Sequence, residues 1–185
     1  QWGDEGKGKI IDYLATSADA VARFQGGDNA GHTVVFGANV FKLHHVPSGI
    51  LNPDTICLLG NGMVINPLVL VNELTELEKR GINTSKLRIS GKAHLIMAYH
   101  HALDEAQEKM LADRKIGTTG RGMGPAYADK AQRRGLRAID MVDPENFKQR
   151  LSELLPLQNM ILREVFGHQG FELDELMDLY LPAIN

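Results

Sequence analysis

Thr55-Ile56-Cys57-Leu58-Leu59 is a continuous apolar run ending at Gly60-Asn61-Gly62, as expected of a sheet strand buried on both faces. Pro67 follows where a first helical turn tolerates proline, and Leu70, Leu74 and Leu77 make a helical stripe that ends at Gly81. Working outward, Val21-Ala22-Arg23-Phe24, closed by Gly26-Gly27, reads as a second buried strand. Thr33–Phe36 and Val40–His44 flank Gly37-Ala38-Asn39 and suit a hairpin. Leu87-Arg88-Ile89-Ser90 is another strand, and a helix is expected over Ala93–Ala112. After Asp143-Pro144 the spacing of Phe147, Leu151, Leu154 and Leu155 is helical, with a kink expected at Pro156, and Phe171–Leu181 reads as a last helix. Strands alternating with helices imply an α/β fold with a largely parallel central sheet.

The 185 residues are enough for one sizeable core and read as a single domain over 1–185, without internal repeat or linker. Hydrophobic content of 43% with 23% charged residues excludes disorder. No apolar run approaches the roughly 20 residues of a membrane helix. A formal charge of −3 offers no general footprint for nucleic acid. The single cysteine, Cys57, points to a reducing compartment, and no signal peptide is visible. The chain starts at Gln1 and reads as a piece of something longer.

Two glycine-rich loops can carry chemistry. Gln1-Trp2-Gly3-Asp4-Glu5-Gly6-Lys7-Gly8-Lys9 runs into the helical spacing of Ile10, Ile11, Leu14 and Ala15. Glycines let backbone N–H groups approach a phosphate, and a following helix aims its positive end at the same place. Lys7 and Lys9 add cationic donors, while Asp4 could hold magnesium or act as a base. The usual phosphate-loop spacing GxxxxGK[ST] is not matched, and a charged turn with solvated lysines fits the composition equally. Gly117-Thr118-Thr119-Gly120-Arg121-Gly122-Met123-Gly124-Pro125 offers hydroxyls, N–H groups and a guanidinium to an anion. Downstream, Gln132-Arg133-Arg134-Gly135-Leu136-Arg137 concentrates three guanidiniums, which serve either phosphates or a solvated helix end.

A third segment, Gly26-Gly27-Asp28-Asn29-Ala30-Gly31-His32-Thr33, follows a strand, where open α/β sheets bind ligands; an exposed histidine on a glycine turn is the bland alternative. The other histidines make no metal cluster. His44 and His45 fall on opposite strand faces, His100 and His101 are adjacent on a helix, and His94 and His168 stand alone. Cys57, inside an apolar run, belongs to the core.

Together, QWGDEGKGK, GGDNAGHT and IGTTGRGMGPAY-x-DK-x-x-RRGLR, in this order, closely resemble the adenylosuccinate synthetases, as do the intervening HHVPSGIL and GNGMVINP. The resemblance runs from Gln1 to about Asp140. It implies a phosphate-loop-like nucleotide-binding architecture, incomplete in this chain, and a cytoplasmic, homodimeric enzyme that joins inosine monophosphate (IMP) to L-aspartate at the expense of GTP, with Mg2+. In the family an aspartate takes the N1 proton of the base, O6 attacks the γ-phosphate, and the amino group of aspartate displaces that phosphate from the 6-phosphoryl intermediate.

Carried over by motif, the resemblance implies Asp4 as the base and a metal ligand, His32 as the histidine that donates to O6, and Lys7 on the transferring phosphate. Gly31 would give its carbonyl to the metal. GTP would meet Gly3, Asp4, Glu5, Gly6, Lys7, Gly8, Lys9, Gly31, His32 and Thr33. IMP would meet Asp4, Glu5, Gly6, Lys7, Asn29, Ala30, Gly31, His32 and Thr119, with Arg133 reaching its phosphate from the neighbouring subunit. Asp28 takes no role on this resemblance. The family's first strand and its guanine- and aspartate-binding segments are missing, so the 185 residues alone are expected not to turn over. A GTP-binding hydrolase or switch, or an inactive nucleotide-binding paralogue, are the alternatives.

Overall fold

The computed structural model describes residues 7–29, 31–36, 39–111 and 117–184. Its spine is the ten-residue strand β4 (Ile56–Ile65). On one edge β4 pairs in parallel with β1 (Ala20–Gly26), from Ala20↔Ile56 to Gly26↔Met63. Its first half pairs in parallel with β5 (Leu87–Ile89), and its last two residues with β6 (His94–Leu95). Beside this sheet stands an antiparallel hairpin of β2 (His32–Phe36) and β3 (Asn39–Leu43). The expected parallel α/β architecture is what the chain adopts.

β4 does not stop at Gly60-Asn61-Gly62 as the apolar run suggests. It continues to Ile65, and the register shifts from Arg23↔Leu59 to Gln25↔Gly62, so the glycine segment is a bulge inside the strand. β1 is also not the buried strand its composition suggests: its residues alternate between half-buried and exposed, and Phe24 is 69% exposed. Among the described residues β1 forms an edge, which leaves one of its faces open.

Six helices are described. α1 (Lys7–Ala15) begins within the first glycine-rich segment. α2 (Pro67–Lys79) starts as its sequence demands: Asn66 Oδ1 accepts the Val69 N–H at 3.3 Å, and Pro67 takes the position where no donor is needed. α3 (Ala98–Leu111) begins later than expected, because His94 and Leu95 add to the sheet. Ala93 to Met97 are all buried, and a run buried on every side carries no periodicity to separate strand from helix.

α4 (Met123–Ala131) takes over the end of the second glycine-rich segment, and α5 (Pro144–Met160) is capped by Asp143, which accepts from Glu145 and Asn146. α5 runs on through Pro156, which faces solvent, into a π-helical turn at Ile161–Val165, followed by α6 (Leu173–Tyr180).

Two cores result. One lies between β4, the hairpin and α2, with Cys57, Leu59, Met63, Phe41, Leu43, Leu70 and Leu77; the thiol of Cys57 is buried, as expected. The other joins α3, α5 and α6 through Tyr99, Leu103, Phe147, Leu151, Leu176 and Tyr180. Among the described residues no helix is long and apolar enough to cross a membrane.

Candidate active site

β1 and β4 run parallel, so their carboxyl ends open on the same side of the sheet, the usual ligand edge of an open α/β fold. The loop after β1 is anchored there. Tyr127, on α4, accepts the Gly26 N–H at 2.8 Å and donates to the Gly62 carbonyl at 3.0 Å, tying α4 to the end of β1 and to the bulge of β4. Gly27 is packed so closely that a Cβ would lie 2.6 Å from the Val64 carbonyl oxygen and 2.5 Å from Met123 Sδ. Arg23 donates to the Gly27 carbonyl at 2.5 Å and also to the carbonyl of His44, joining this loop to the one after β3. That second loop is gathered by Glu73, whose carboxylate accepts the N–H groups of His44, His45 and Val46 at 2.8, 2.9 and 3.2 Å. Burial pushes the Glu73 carboxyl up, but these hydrogen bonds outweigh it and leave its pKa lowered.

Asp28 is the hub of the site, although its place in the motif gave it no role. It is 1% exposed. Arg121, from the second glycine-rich loop, donates to its carbonyl at 2.9 Å and lies 3.7 Å from its carboxylate. The Asn66 amide, at the end of β4, stands 3.5 Å from the same carboxylate and 3.2 Å from His101 Nε2. His101 Nδ1 is 3.2 Å from the Gly120 carbonyl, which can only accept, so Nδ1 carries the proton and Nε2 accepts from Asn66. Asp104, one turn along α3, accepts the Gly122 N–H at 2.9 Å. Arg121, His101 and Asp104 thus seat the second glycine-rich loop on α3 and on the Gly26–Thr33 loop. Gly122 there is left-handed at φ 70°, with its Cα against the backbone of His100; a Cβ would lie 2.8 Å from the His100 carbonyl carbon.

The expected site residues divide accordingly. Gly3, Asp4, Glu5, Gly6 and Ala30 lie outside the described residues. Lys7, Gly8 and Lys9 form the first turn of α1, so the glycine-rich segment leads into a helix N-terminus. His32 opens β2, half-buried, and lines a mostly apolar cavity of about 320 Å³ with Ile11 of α1, Val21, Phe24 and Pro47. This brings His32 beside the helix that follows the first loop. Asn29, Gly31, Thr33 and Thr119 are exposed on the two joined loops and the hairpin.

Arg133 stands apart. It is exposed beyond the carboxyl end of α4, while Thr119 precedes its amino end; the nine-residue helix between them is about 13 Å long. Of the three guanidiniums, that of Arg134 is engaged, 3.4 Å from Asp129. Arg133 has φ 61°, and it is the sole non-glycine residue with positive φ among those described. Its N–H donates to Lys130 at 3.1 Å and that of Arg134 to Asp129 at 3.0 Å, the helix-ending pattern that ordinarily places glycine at this position. An L-residue there costs about 1–2 kcal/mol.

Asp28, Asn66, His101, Asp104 and Arg121 are not a set that sequence reasoning singles out. The one signal available is Asn66-Pro67, a strand end followed directly by a helix start, which places a polar side chain at the ligand edge. Among the described residues no three His, Cys, Asp or Glu side chains gather as for a metal ion.

The family model of adenylosuccinate synthetase matches residues 1–184. The adenylosuccinate synthetase of Carboxydothermus hydrogenoformans is 56% identical over 98% of this chain and 42% of its own length; that of Heliobacterium modesticaldum is 54% identical over 97% and 42%. Among solved structures, the fully ligated adenylosuccinate synthetase of Plasmodium falciparum superposes with a TM-score of 0.86 at 38% identity, over 98% of this chain and 42% of that one. The succinoaminodeoxyadenylate synthetase of cyanophage S-2L, bound to dGMP and dATP, gives 0.59 at 26% identity, over 82% and 46%. The chain thus spans about two fifths of the length of these relatives, and it belongs to the adenylosuccinate synthetase family.

Proposed function

We propose that the protein carrying this chain ligates IMP and L-aspartate to adenylosuccinate, with GTP converted to GDP and phosphate, as a cytoplasmic enzyme of AMP biosynthesis. The observation that carries the reading is the joining of the Gly26–Thr33 and Gly117–Pro125 loops by Arg121, Asp28, Asn66 and His101, since Asn29 and Thr119, which the resemblance gives to IMP, lie one on each. A GTP hydrolase needs no site for a second nucleotide; a ligase of IMP needs these two loops held together.

In this mechanism Asp4 takes the N1 proton of IMP, which makes O6 nucleophilic. O6 forms its bond to the γ-phosphorus as the bond to the β-phosphate oxygen of GDP breaks, and His32 donates a hydrogen bond to O6 as its charge develops. Lys7, at the start of α1, holds the transferring phosphate oxygens. The amino group of aspartate then attacks C6 and phosphate leaves. Glycines 3, 6 and 8, with Glu5, Lys9 and Thr33, line the GTP side; Asn29, Ala30 and Thr119 hold IMP.

A carboxylate from Asp4 and a carbonyl from Gly31 are the hard oxygen donors that Mg2+ takes. So small a protein set suits an ion that keeps one or two protein ligands and completes its shell with phosphates and water. When bound, the ion neutralises charge on the phosphate oxygens. Arg133 serves the IMP phosphate of a second copy in a homodimer. Its exposure, its distance from Thr119 and the backbone cost of placing an arginine there support that reading.

The test is a product assay on the full-length protein with IMP, GTP, Mg2+ and aspartate, omitting each in turn. Adenylosuccinate formed only in the complete mixture is expected. Phosphate released from GTP without IMP would instead make the protein a hydrolase, and GTP binding with no reaction would make it a silent paralogue.

A further inference from the structure

The last turn of α4 ends in a buried polar cluster that the reaction above does not use. Asp129 is 5% exposed and its carboxylate is approached from three elements. Gln158 of α5 donates to Oδ2 at 2.8 Å, and His100 Nε2 of α3 lies 3.1 Å from the same oxygen. The Met97 N–H donates to His100 Nδ1 at 3.0 Å, which places the imidazole proton on Nε2 and makes His100 a donor to Asp129. Arg134 Nε stands 3.4 Å from Oδ1, and the Arg134 N–H donates to the Asp129 carbonyl. Asp129 therefore meets Arg134, the residue after Arg133, twice: its carbonyl accepts the Arg134 N–H, and its carboxylate faces the guanidinium as an ion pair without a hydrogen bond from Nε. Burial of His100 holds its pKa down, so it serves as a neutral donor while Arg134 supplies the positive charge facing the carboxylate.

The arrangement solves a specific problem. Arg133 sits in a backbone conformation that glycine adopts freely and arginine does not. Such a turn persists only where its surroundings over-determine it. Here the residue on one side is clamped to Asp129, and Asp129 is clamped to α3 and α5. The same helix α3 holds the second glycine-rich loop through His101 and Asp104, so adjacent residues of one helix, His100 and His101, fix both ends of α4.

We infer that Asp129, held by His100 and Gln158, is a positioning residue that sets the left-handed turn presenting Arg133 to the phosphate of IMP. The inference rests on the reading of Arg133 given above. Asp129 touches no substrate and acts only through Arg133.

The experiment uses the full-length synthetase. Asp129→Asn keeps the size of the side chain and removes the charge that faces Arg134. It is expected to raise KM for IMP roughly tenfold, the scale of one charge-assisted contact, with kcat and the KM values for GTP and aspartate within about twofold. In an Arg133→Leu background the same change should add nothing to KM for IMP. Where Asp129→Asn fails to fold, Gln158→Met, which keeps the volume and removes one donor, enters the same cycle with an expected rise of about threefold.

An unchanged KM for IMP in a folded variant would overturn the inference. So would equal losses for all three substrates, or effects of Asp129→Asn and Arg133→Leu that simply multiply. If Arg133→Leu by itself leaves KM for IMP unchanged, the reading of Arg133 falls and the inference falls with it. That outcome is distinct from an active Arg133 with an indifferent Asp129.

Discussion

The two ends of α4 use the same left-handed backbone and fill it differently. At the amino end the residue is Gly122, at φ 70°, pressed against the backbone of His100. At the carboxyl end it is Arg133, at φ 61°, open to solvent. The first end admits no side chain at all, so glycine there answers a demand of packing. The second has room for any side chain and only a backbone reason to prefer glycine, yet it carries an arginine. An arginine that opposes the local preference without any packing need fits the role proposed above for its side chain. That contrast sets apart the part of the motif that builds the fold from the part to which the proposed function gives a ligand.

The contrast breaks first at Gly122. Gly122→Ala combines a positive φ with a backbone collision and should destabilise the protein by at least about 3 kcal/mol, read by denaturant unfolding. A loss near zero would mean that α4 tolerates a shift at its amino end. At the other end, Arg133→Leu should raise KM for IMP about 10- to 100-fold, the loss of a charge-assisted phosphate contact. Leucine carries the same backbone cost as arginine, so the melting temperature should stay within about 2 °C. A large fall in melting temperature would make Arg133 a structural residue.

Acid should loosen the carboxyl end through His94. This residue is 5% exposed, with the Cβ position of Gly135 2.8 Å from its ring. Burial, and then the charges of Lys130 and Arg137, lower its pKa from 6.5 to about 4. Above pH 6.5 the ring is neutral in both folded and unfolded chains and contributes no pH dependence. Between 6.5 and 4 the unfolded chain takes up a proton that the folded one refuses, so stability falls as pH falls, by about 2 kcal/mol at pH 5. His100, also lowered by burial, adds in the same direction. Glu73, whose pKa is lowered below 4.5, contributes stability that is lost only at more acid pH. Unfolding curves at pH 7 and pH 5, repeated on His94→Gln, check this share; an unchanged pH dependence in the variant would assign it elsewhere.

The smallest effect is the most diagnostic. Arg133→Gly should stabilise the protein by about 1 kcal/mol, because glycine adopts the turn without strain. It should lose IMP affinity as fully as Arg133→Leu does. A variant that is more stable and binds IMP less well would separate the two ends of α4 by a single measurement pair.

Much of this fold is legible in the amino-acid sequence alone. α2 can be read from Pro67 to Gly81 because its start, stripe and stop are all local signals. The parallel sheet follows from strands alternating with helices. The readings that fail do so where local signals are missing or shared. Ala93–Met97 is buried throughout and carries no period, so its strand merges into the helix that follows. Gly60-Asn61-Gly62 looks like a strand end, and only pairing with β1 makes it a bulge. Motif resemblance proposes His32, Asn29 and Thr119 for the candidate site and Arg133 for a neighbouring one, whereas Asp28, Asn66, His101 and Asp129 act through partners far away in sequence. The left-handed turn at Arg133 is hidden inside a basic run whose composition speaks only of charge.

Cys57 gives the molecule a use beyond its own reaction. The thiol is sealed near the start of the central strand, and burial pushes its pKa up to about 11. A thiolate-seeking reagent at neutral pH therefore finds nothing to attack while the sheet is closed. With one cysteine in these 185 residues, the labelling rate of this segment becomes a clock for the opening of β4. Substrates that hold the Gly26–Thr33 and Gly117–Pro125 loops together should slow that clock, so the core itself reports, through the labelling reagent, whether the ligand edge is occupied.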